Sequence, residues 1–433
     1  MEFSGLILIL SFLLLLLMRV PVAICIGAAT FVAMLASIEF TAAATTVAQR
    51  MAGGLDSFAL LAVPLFIMSG ILMGQGGIAR RLIEFAKVLV GTLPGGLGLV
   101  NVISCTLFGS ISGSAVAATS AIGGFMIPAM EKDGYNRNFN AALTITSSTT
   151  GLLIPPSNVL IIYSLASGSV SIAALFIAGY VPGILLALSL MAIAMVYSAR
   201  AGFPRSGRIP LRQAMPKLLD AIPSLLLVVI VIGGIIGGVF TATEASAIAV
   251  LYSLILAVGV YREVKPKELP ALMIKTAETS AVVLLLIATS TAMSWMLAYE
   301  NIPQSVSELL IGLSDNPLLI LLLINIVLLL VGTFMDMTPA ILIFTPIFLP
   351  IAESLGISPL HFGIMMVLNL SVGLCTPPVG SVLFVGCSIA KTRMESVLKP
   401  LLPMYAAMLL TLVLITLFPA LSEWLPRVSG LID

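Results

Sequence analysis

Apolar residues in this chain come in runs and not in alternation. Residues 6–18, 221–239, 318–331 and 401–417 are free of charged side chains and approach the roughly 20 residues that a helix needs to cross the hydrocarbon of a bilayer. A membrane barrel would alternate apolar and polar positions at a period of two, and no such pattern is present. The runs predict helical spans at about 3–18, 20–38, 56–75, 140–166, 171–199, 220–240, 243–261, 276–299, 360–390 and 401–424. The first run has no basic segment before it and no small-residue cleavage site, and a second span follows at once. It is expected to stay in the protein as a span.

Basic residues fall between the runs, at Arg80, Arg81 and Lys87 and within 200–217, 262–275 and 391–399. The positive-inside rule puts all four clusters in the cytoplasm. The spans satisfy that rule only if segments 95–128 and 317–350 return to the side they entered, as re-entrant hairpins. Landmarks of the first half also recur in the second at one offset. Pro156 maps to Pro378 (378 − 156 = 222), Pro128 to Pro350 (350 − 128 = 222), and Gly151, Glu131 and Gly134 to Gly373, Glu353 and Gly356.

A fixed offset of this kind signals an internal repeat. Each repeat holds five spans plus one hairpin, and an odd number of spans turns the second copy upside down. The expected fold is an all-α polytopic membrane protein of two inverted-topology repeats. Residues 1–200 form the first repeat, with a cytoplasm-facing hairpin at 95–128, and 201–219 a cytoplasmic linker. Residues 220–433 form the second repeat, with a periplasm-facing hairpin at 317–350. Inverted halves with broken helices near the midplane are a common architecture of secondary transporters, because exchanging two conformations related by the pseudo-two-fold axis gives alternating access. Duplication alone would also leave a repeat in a scaffold or a channel.

Composition narrows the function. Hydrophobic residues make up 60% of the 433 positions and charged residues 9%, too few charges for a soluble surface of ordinary polarity. A net charge of +1 supplies no field to attract nucleic acid. The four cysteines, Cys25, Cys105, Cys375 and Cys387, lie in apolar segments without metal-ligand or CxxC spacing and read as small buried hydrophobes. The chain contains no Walker A loop, HExxH or GxSxG, and no second intramembrane Asp to form a dyad with Asp336, so an embedded enzyme finds no support.

Intramembrane polar residues concentrate at each hairpin tip and in the helix that follows it. The first tip reads GSISGS over 109–114 and the following segment TSSTTGLLIPPSN over 146–158; the second pair reads GTFMDMTP over 332–339 and NLSVGLCTPP over 369–378. Two adjacent prolines remove two backbone donors and clash with the preceding turn, so carbonyls near Gly151–Ile154 and their counterparts lose helical partners. In hydrocarbon, such carbonyls need a replacement for the hydrogen bond. A sodium ion, taking oxygen ligands from carbonyls and hydroxyls, supplies one. The competing reading is close helix packing by small residues with a proline kink.

Asp336 would cost on the order of 3 kcal/mol in an apolar hairpin and should face a polar cavity. Glu244 sits near a span end, with Thr243 or Thr241 before it at capping spacing, and is read as part of a helix cap. His361 is read as a boundary residue without metal partners. Ser206, in the linker, serves as a position where no ion is expected.

The runs GSISGSAVAAT (109–119), GLLIPPSN (151–158), FTATEA (240–245), GTFMDMTP (332–339) and GLCTPPVG (373–380) resemble the large membrane subunit of tripartite ATP-independent periplasmic (TRAP) transporters, across essentially the whole chain. The resemblance implies an elevator-type secondary transporter of the bacterial inner membrane, driven by sodium and carrying organic acids such as C4-dicarboxylates, keto acids, sialic acids or sugar acids. It implies two partners, a small four-helix membrane subunit and a periplasmic substrate-binding protein. Carried over by residue, one sodium site falls on Ser110, Ser112, Ser114, Gly151, Ile154 and Pro156. The other falls on Gly332, Thr333, Asp336, Gly373, Thr376 and Pro378. Substrate contacts are expected at Thr119, Asn158, Thr338 and Ser381. Ala118 departs from the family, where an acidic residue is frequent, so the substrate is expected to differ accordingly. A one-component elevator transporter that works without a binding protein is the alternative.

Overall fold

The computed structural model describes residues 2–168, 170–202, 210–313 and 316–432. Ser206 and part of the expected linker lie outside them. The described chain is helical, with no strand among the described residues. The first half holds α1 (Glu2–Leu17), α2 (Val22–Met34), α3 (Phe40–Leu55), α4 (Ala62–Gln75), α5 (Ile78–Val90), α6 (Gly96–Ser112), α7 (Ala115–Lys132), α8 (Arg137–Ser148), α9 (Asn158–Ser167) and α10 (Ile172–Ala201). The second holds α11 (Leu211–Ile236), α12 (Ala242–Leu254), α13 (Leu269–Tyr299), α14 (Ile302–Leu313), α15 (Pro317–Phe334), α16 (Met337–Ser354), α17 (Pro359–Leu374), α18 (Ser381–Ala390), α19 (Met394–Leu417) and α20 (Ala420–Val428).

Eight helical stretches among the described residues are long and apolar enough to cross a membrane, and several shorter apolar helices pack beside them. The protein is a multi-pass membrane protein. Apolar side chains such as Leu14, Val229, Leu322 and Leu410 are exposed on the helix exteriors, where lipid replaces water as the solvent.

Local chemistry explains where helices start and stop. Ser114 opens α7 by accepting from the Ala117 amide, Asn136 opens α8 and Ser358 opens α17, each satisfying amides that lack intrahelical partners. Of the two threonines before Glu244, Thr241 is the cap, and it forms a reciprocal capping box with Glu244 at α12. Gly113, in left-handed backbone at φ 63°, turns α6 into α7. Helix α8 gives way to a 3₁₀ turn, Thr150–Leu152, before the Pro155–Pro156 pair, and α17 stops before Pro377–Pro378. Both Pro–Pro peptides are cis.

Secondary structure keeps the 222-residue spacing closely. Helix α7 runs from 115 to 132 and α16 from 337 to 354, so that 337 − 115 and 354 − 132 both equal 222. Four amphipathic or short helices were not anticipated as spans: α3, α5, α14 and α20. The last predicted span, 401–424, is in fact α19, which starts at Met394 and stops at Leu417, followed by the separate α20. Helix α11 begins at Leu211, directly after Pro210 and inside the segment read as linker, and Pro216 and Pro223 sit within it without ending it.

Packing divides the helices into two groups. Helices α1–α4 and α11–α13 pack on one another as a frame. Helices α6–α10 and α15–α20 interdigitate as a body, with α8 and α17 at its centre; residues 139–148 and 360–374 are buried throughout. Helix α5 links frame to body, packing on both α11 and α6, and α14 sits between α13 and α16 in the same way. Glu84 of α5 binds Lys217 of α11 at 2.7 Å and Lys87 at 2.9 Å. Partial burial pushes its carboxyl up, but the hydrogen bonds and charges of Lys217 and Lys87 outweigh that and hold it below the ordinary range. His361 lies in the first turn of α17, at the helix boundary where the sequence places it. It is buried, with Nδ1 2.7 Å from Ser422 Oγ of α20.

Candidate functional site: two tip and break junctions beside a cavity

Each hairpin tip lies directly on a broken helix of its own half. A Cβ added to Gly151 would stand 2.4 Å from the carbonyl carbon of Gly109, and one added to Gly373 would stand 2.6 Å from that of Gly332. No Cβ fits at such distances, so both positions require glycine and both junctions are backbone against backbone. The Gly380 amide donates to the Thr333 carbonyl at 3.2 Å, stitching the second tip to the far side of its break. On the first, Asn158 stands against Gly113, where an added Cβ would meet its Nδ2 at 2.9 Å.

The hydroxyls in these junctions point back at their own helices. Ser110 donates to the Leu107 carbonyl at 2.8 Å, Thr333 to Leu330 at 2.7 Å and Thr376 to Val372 at 2.8 Å. Ser112 lies 3.4 Å from the Ser114 carbonyl, and Ser157 donates to the Leu152 carbonyl at 2.6 Å. A hydroxyl that donates in this way keeps its oxygen lone pairs available. Each junction therefore offers hydroxyl and carbonyl oxygens, a donor set suited to a hard monovalent cation. Among the described residues no group of three or more His, Cys, Asp or Glu could hold a metal ion.

A cavity of about 730 Å³ lies where the two tips face the frame. Ser112, Ser114, Asn158, Asp336 and Thr338 line it; these are the sequence-predicted residues that the fold brings together there. Asp336 begins α16 and accepts from Ser381 Oγ at 3.5 Å. Ser381 thus reaches the site through Asp336. Thr119 is buried, donates to the Ala115 carbonyl at 2.8 Å and packs towards Gly386 of α18, away from the cavity wall. Gly151, Ile154, Pro156, Gly332, Thr333, Gly373, Thr376 and Pro378 belong to the junctions and are not part of that wall.

Sequence reading missed the opposite wall, where Gln75 of α4 and Lys275 and Thr279 of α13 line the cavity; Ser120 of α7, in the segment that follows the first tip, lines it from the tip side. The available signal was the spacing of 275, 279 and 283, which puts those side chains on one helical face. Further along the same helix, Ile287, Ser290, Thr291 and Ser294 line a second cavity of about 590 Å³, closed on the body side by residues including Ala166 and Leu342.

Comparison with known proteins completes the picture. Residues 9–421 match the family described as tripartite ATP-independent periplasmic transporter, DctM component. The chain is 53% identical to the uncharacterised protein YgiK of Salmonella typhimurium, over 96% of this chain and 95% of that one. It is 38% identical to the C4-dicarboxylate TRAP transporter large permease protein DctM of Rhodobacter capsulatus, over 89% and 91%. It is 39% identical to the sialic acid TRAP transporter large permease protein SiaM of Vibrio cholerae, over 88% and 89%. Among solved structures, the Alcanivorax borkumensis YdaH transporter shares the fold, with a TM-score of 0.64 at 15% identity, over 87% of this chain and 88% of that one. The chain belongs to the DctM component family of tripartite ATP-independent periplasmic transporters.

Proposed function

We propose that this protein is the transport subunit of a TRAP system that takes up a small organic acid across the bacterial inner membrane, with a sodium gradient as the driving force. The observation that carries this reading is the pair of glycine-to-glycine junctions. Two stretches of interrupted helix, one in each half, present hydroxyls and carbonyls beside a single cavity. Oxygen donors without fixed charge favour sodium, and Asp336 adds one carboxylate on the second tip. The two halves are read as oppositely oriented in the membrane, which lets one body expose the cavity to either side in turn.

The relatives named for C4-dicarboxylate and sialic acid support an organic acid as the cargo. A small four-helix membrane subunit and a periplasmic binding protein complete the system on this reading. The test is uptake into proteoliposomes holding the complete system, with a panel of C4-dicarboxylates, keto acids and sugar acids. Uptake is expected to require an inward sodium gradient and no ATP. Equal rates with potassium in place of sodium, at the same membrane potential, would overturn the sodium coupling.

A further inference from the structure

We propose that Lys275 is the residue that draws an organic anion into the cavity, and that α13 of the frame supplies the cationic side of a binding site whose other side is the two tips. This rests on the reading of the chain as an organic-acid carrier. The sequence alone absorbs Lys275 as the last member of the basic cluster at 262–275. The structure separates it from that cluster. Lys275 is six residues into α13 (275 − 269 = 6), its side chain is exposed, and it lines the cavity with Thr279 and Val283 on one helical face.

Charge makes the position significant. Of the described residues that line the cavity, only Lys275 and Asp336 carry charge, and Glu278 on the same helix is not among them. Lys275 makes no ion pair with any described residue. With a sodium ion held at the second junction, the charge of Asp336 is balanced, and the Lys275 ammonium is the one unbalanced charge that a lining side chain brings to the cavity. A low-dielectric wall around such a charge focuses its field on the space between α13 and the tips. One fixed cation matches one anionic group. The remaining lining groups, among them Gln75, Thr279, Ser120, Asn158 and Thr338, offer neutral hydrogen bonds to hydroxyl or carbonyl groups of the same ligand. The fitting cargo is a small polar anion with one charged group in the site, a carboxylate or sulfonate.

The competing role is a membrane-edge lysine whose ammonium reaches out to the headgroups. The two differ in the field inside the cavity. A reporter cysteine placed at Ser120, on the α7 wall, reads that field directly: Ser120→Cys in the full-length chain in membrane vesicles reacts with methanethiosulfonate reagents. Cys25, Cys105, Cys375 and Cys387 are buried, and their background is measured in the parent.

The rate with the anionic sulfonatoethyl reagent is compared with that of the cationic trimethylammonium reagent. Adding Lys275→Gln is expected to lower the anionic-to-cationic ratio by about threefold or more, as removing a unit charge from the same cavity requires. Lys275→Arg should keep the ratio. An unchanged ratio in Lys275→Gln would overturn the proposal. In the complete system, the KM for whichever anion is carried should rise about tenfold in Lys275→Gln, the loss of one charge-assisted contact, with Lys275→Arg restoring it; an unmoved KM would equally overturn it. Failure of sodium dependence, with the ratio still falling, would count against the coupling mechanism and leave the anion site standing.

Discussion

A hydroxyl that donates to its own helix is not used up as a ligand. Ser112 and Thr376 illustrate the point: both are held by carbonyls of their own segments, and donating leaves the oxygen of each able to accept. Replacing either by Ala removes one oxygen and leaves a side chain that an apolar setting accepts. If each oxygen contributes about 1–3 kcal/mol to ion binding, sodium affinity should fall by roughly tenfold or more. Thermal stability without sodium should change little, while the stabilisation that sodium adds should shrink in proportion to binding. Thermal shift in detergent with a sodium titration checks this, and unchanged titration curves for both variants would reduce the junctions to packing features. At this scale the sequence was informative wherever a residue is chemically out of place. Asp336 in an apolar hairpin and Glu244 at capping spacing were both readable. Lys275 and His361 were not, because their roles depend on α4, α7 and α20, which lie far from them in the chain.

Interrupted helices are legible because proline and glycine act through the backbone, and a backbone rule is local. The Pro155–Pro156 and Pro377–Pro378 pairs mark both breaks, and one offset relates them. Contact of each break with its own hairpin tip is long-range and follows only from the fold. That contact makes a sharp prediction. Gly151→Ala would drive a methyl against the Gly109 carbonyl carbon, where backbone cannot yield as a flexible side chain would. The expected cost is about 1–3 kcal/mol, as for overpacking, read as a lower unfolding midpoint of the purified protein. Gly124→Ala in α7, where an added Cβ meets nothing within 4 Å, is the control. Equal midpoints for the two variants would mean that the junction is looser than its geometry implies. Helices α3, α5, α14 and α20 escaped the sequence reading for a different reason. Their apolar residues cover one face only, and a search for unbroken runs passes over them. Helix α5 shows what such elements do: one side packs on α6 and the other is tied by Glu84 to Lys217 of α11.

At the scale of the whole molecule, the two cavities lie in series along α13, both between frame and body. Frame helices contribute one wall of each, and body helices the other. If transport moves the body past a stationary frame, covalent attachment across either cavity should stop it. Ala166 and Ser290 face the second cavity from opposite sides, and neither was assigned to a junction. With Ala166→Cys and Ser290→Cys together, a bifunctional methanethiosulfonate should abolish uptake by the complete system, and a reducing agent should restore it. Each single variant treated in the same way should keep transporting. A disulfide within the body supplies the matched control. Thr392 Oγ1 donates to Asn138 Oδ1 at 2.6 Å, so cysteines at these positions would join two parts that travel together, and uptake should persist. Full uptake by the bridged Ala166 and Ser290 pair, with cross-linking verified by mass spectrometry, would show that frame and body do not slide. Transport would then have to proceed by local opening of the hairpin tips at Gly113 and Met335.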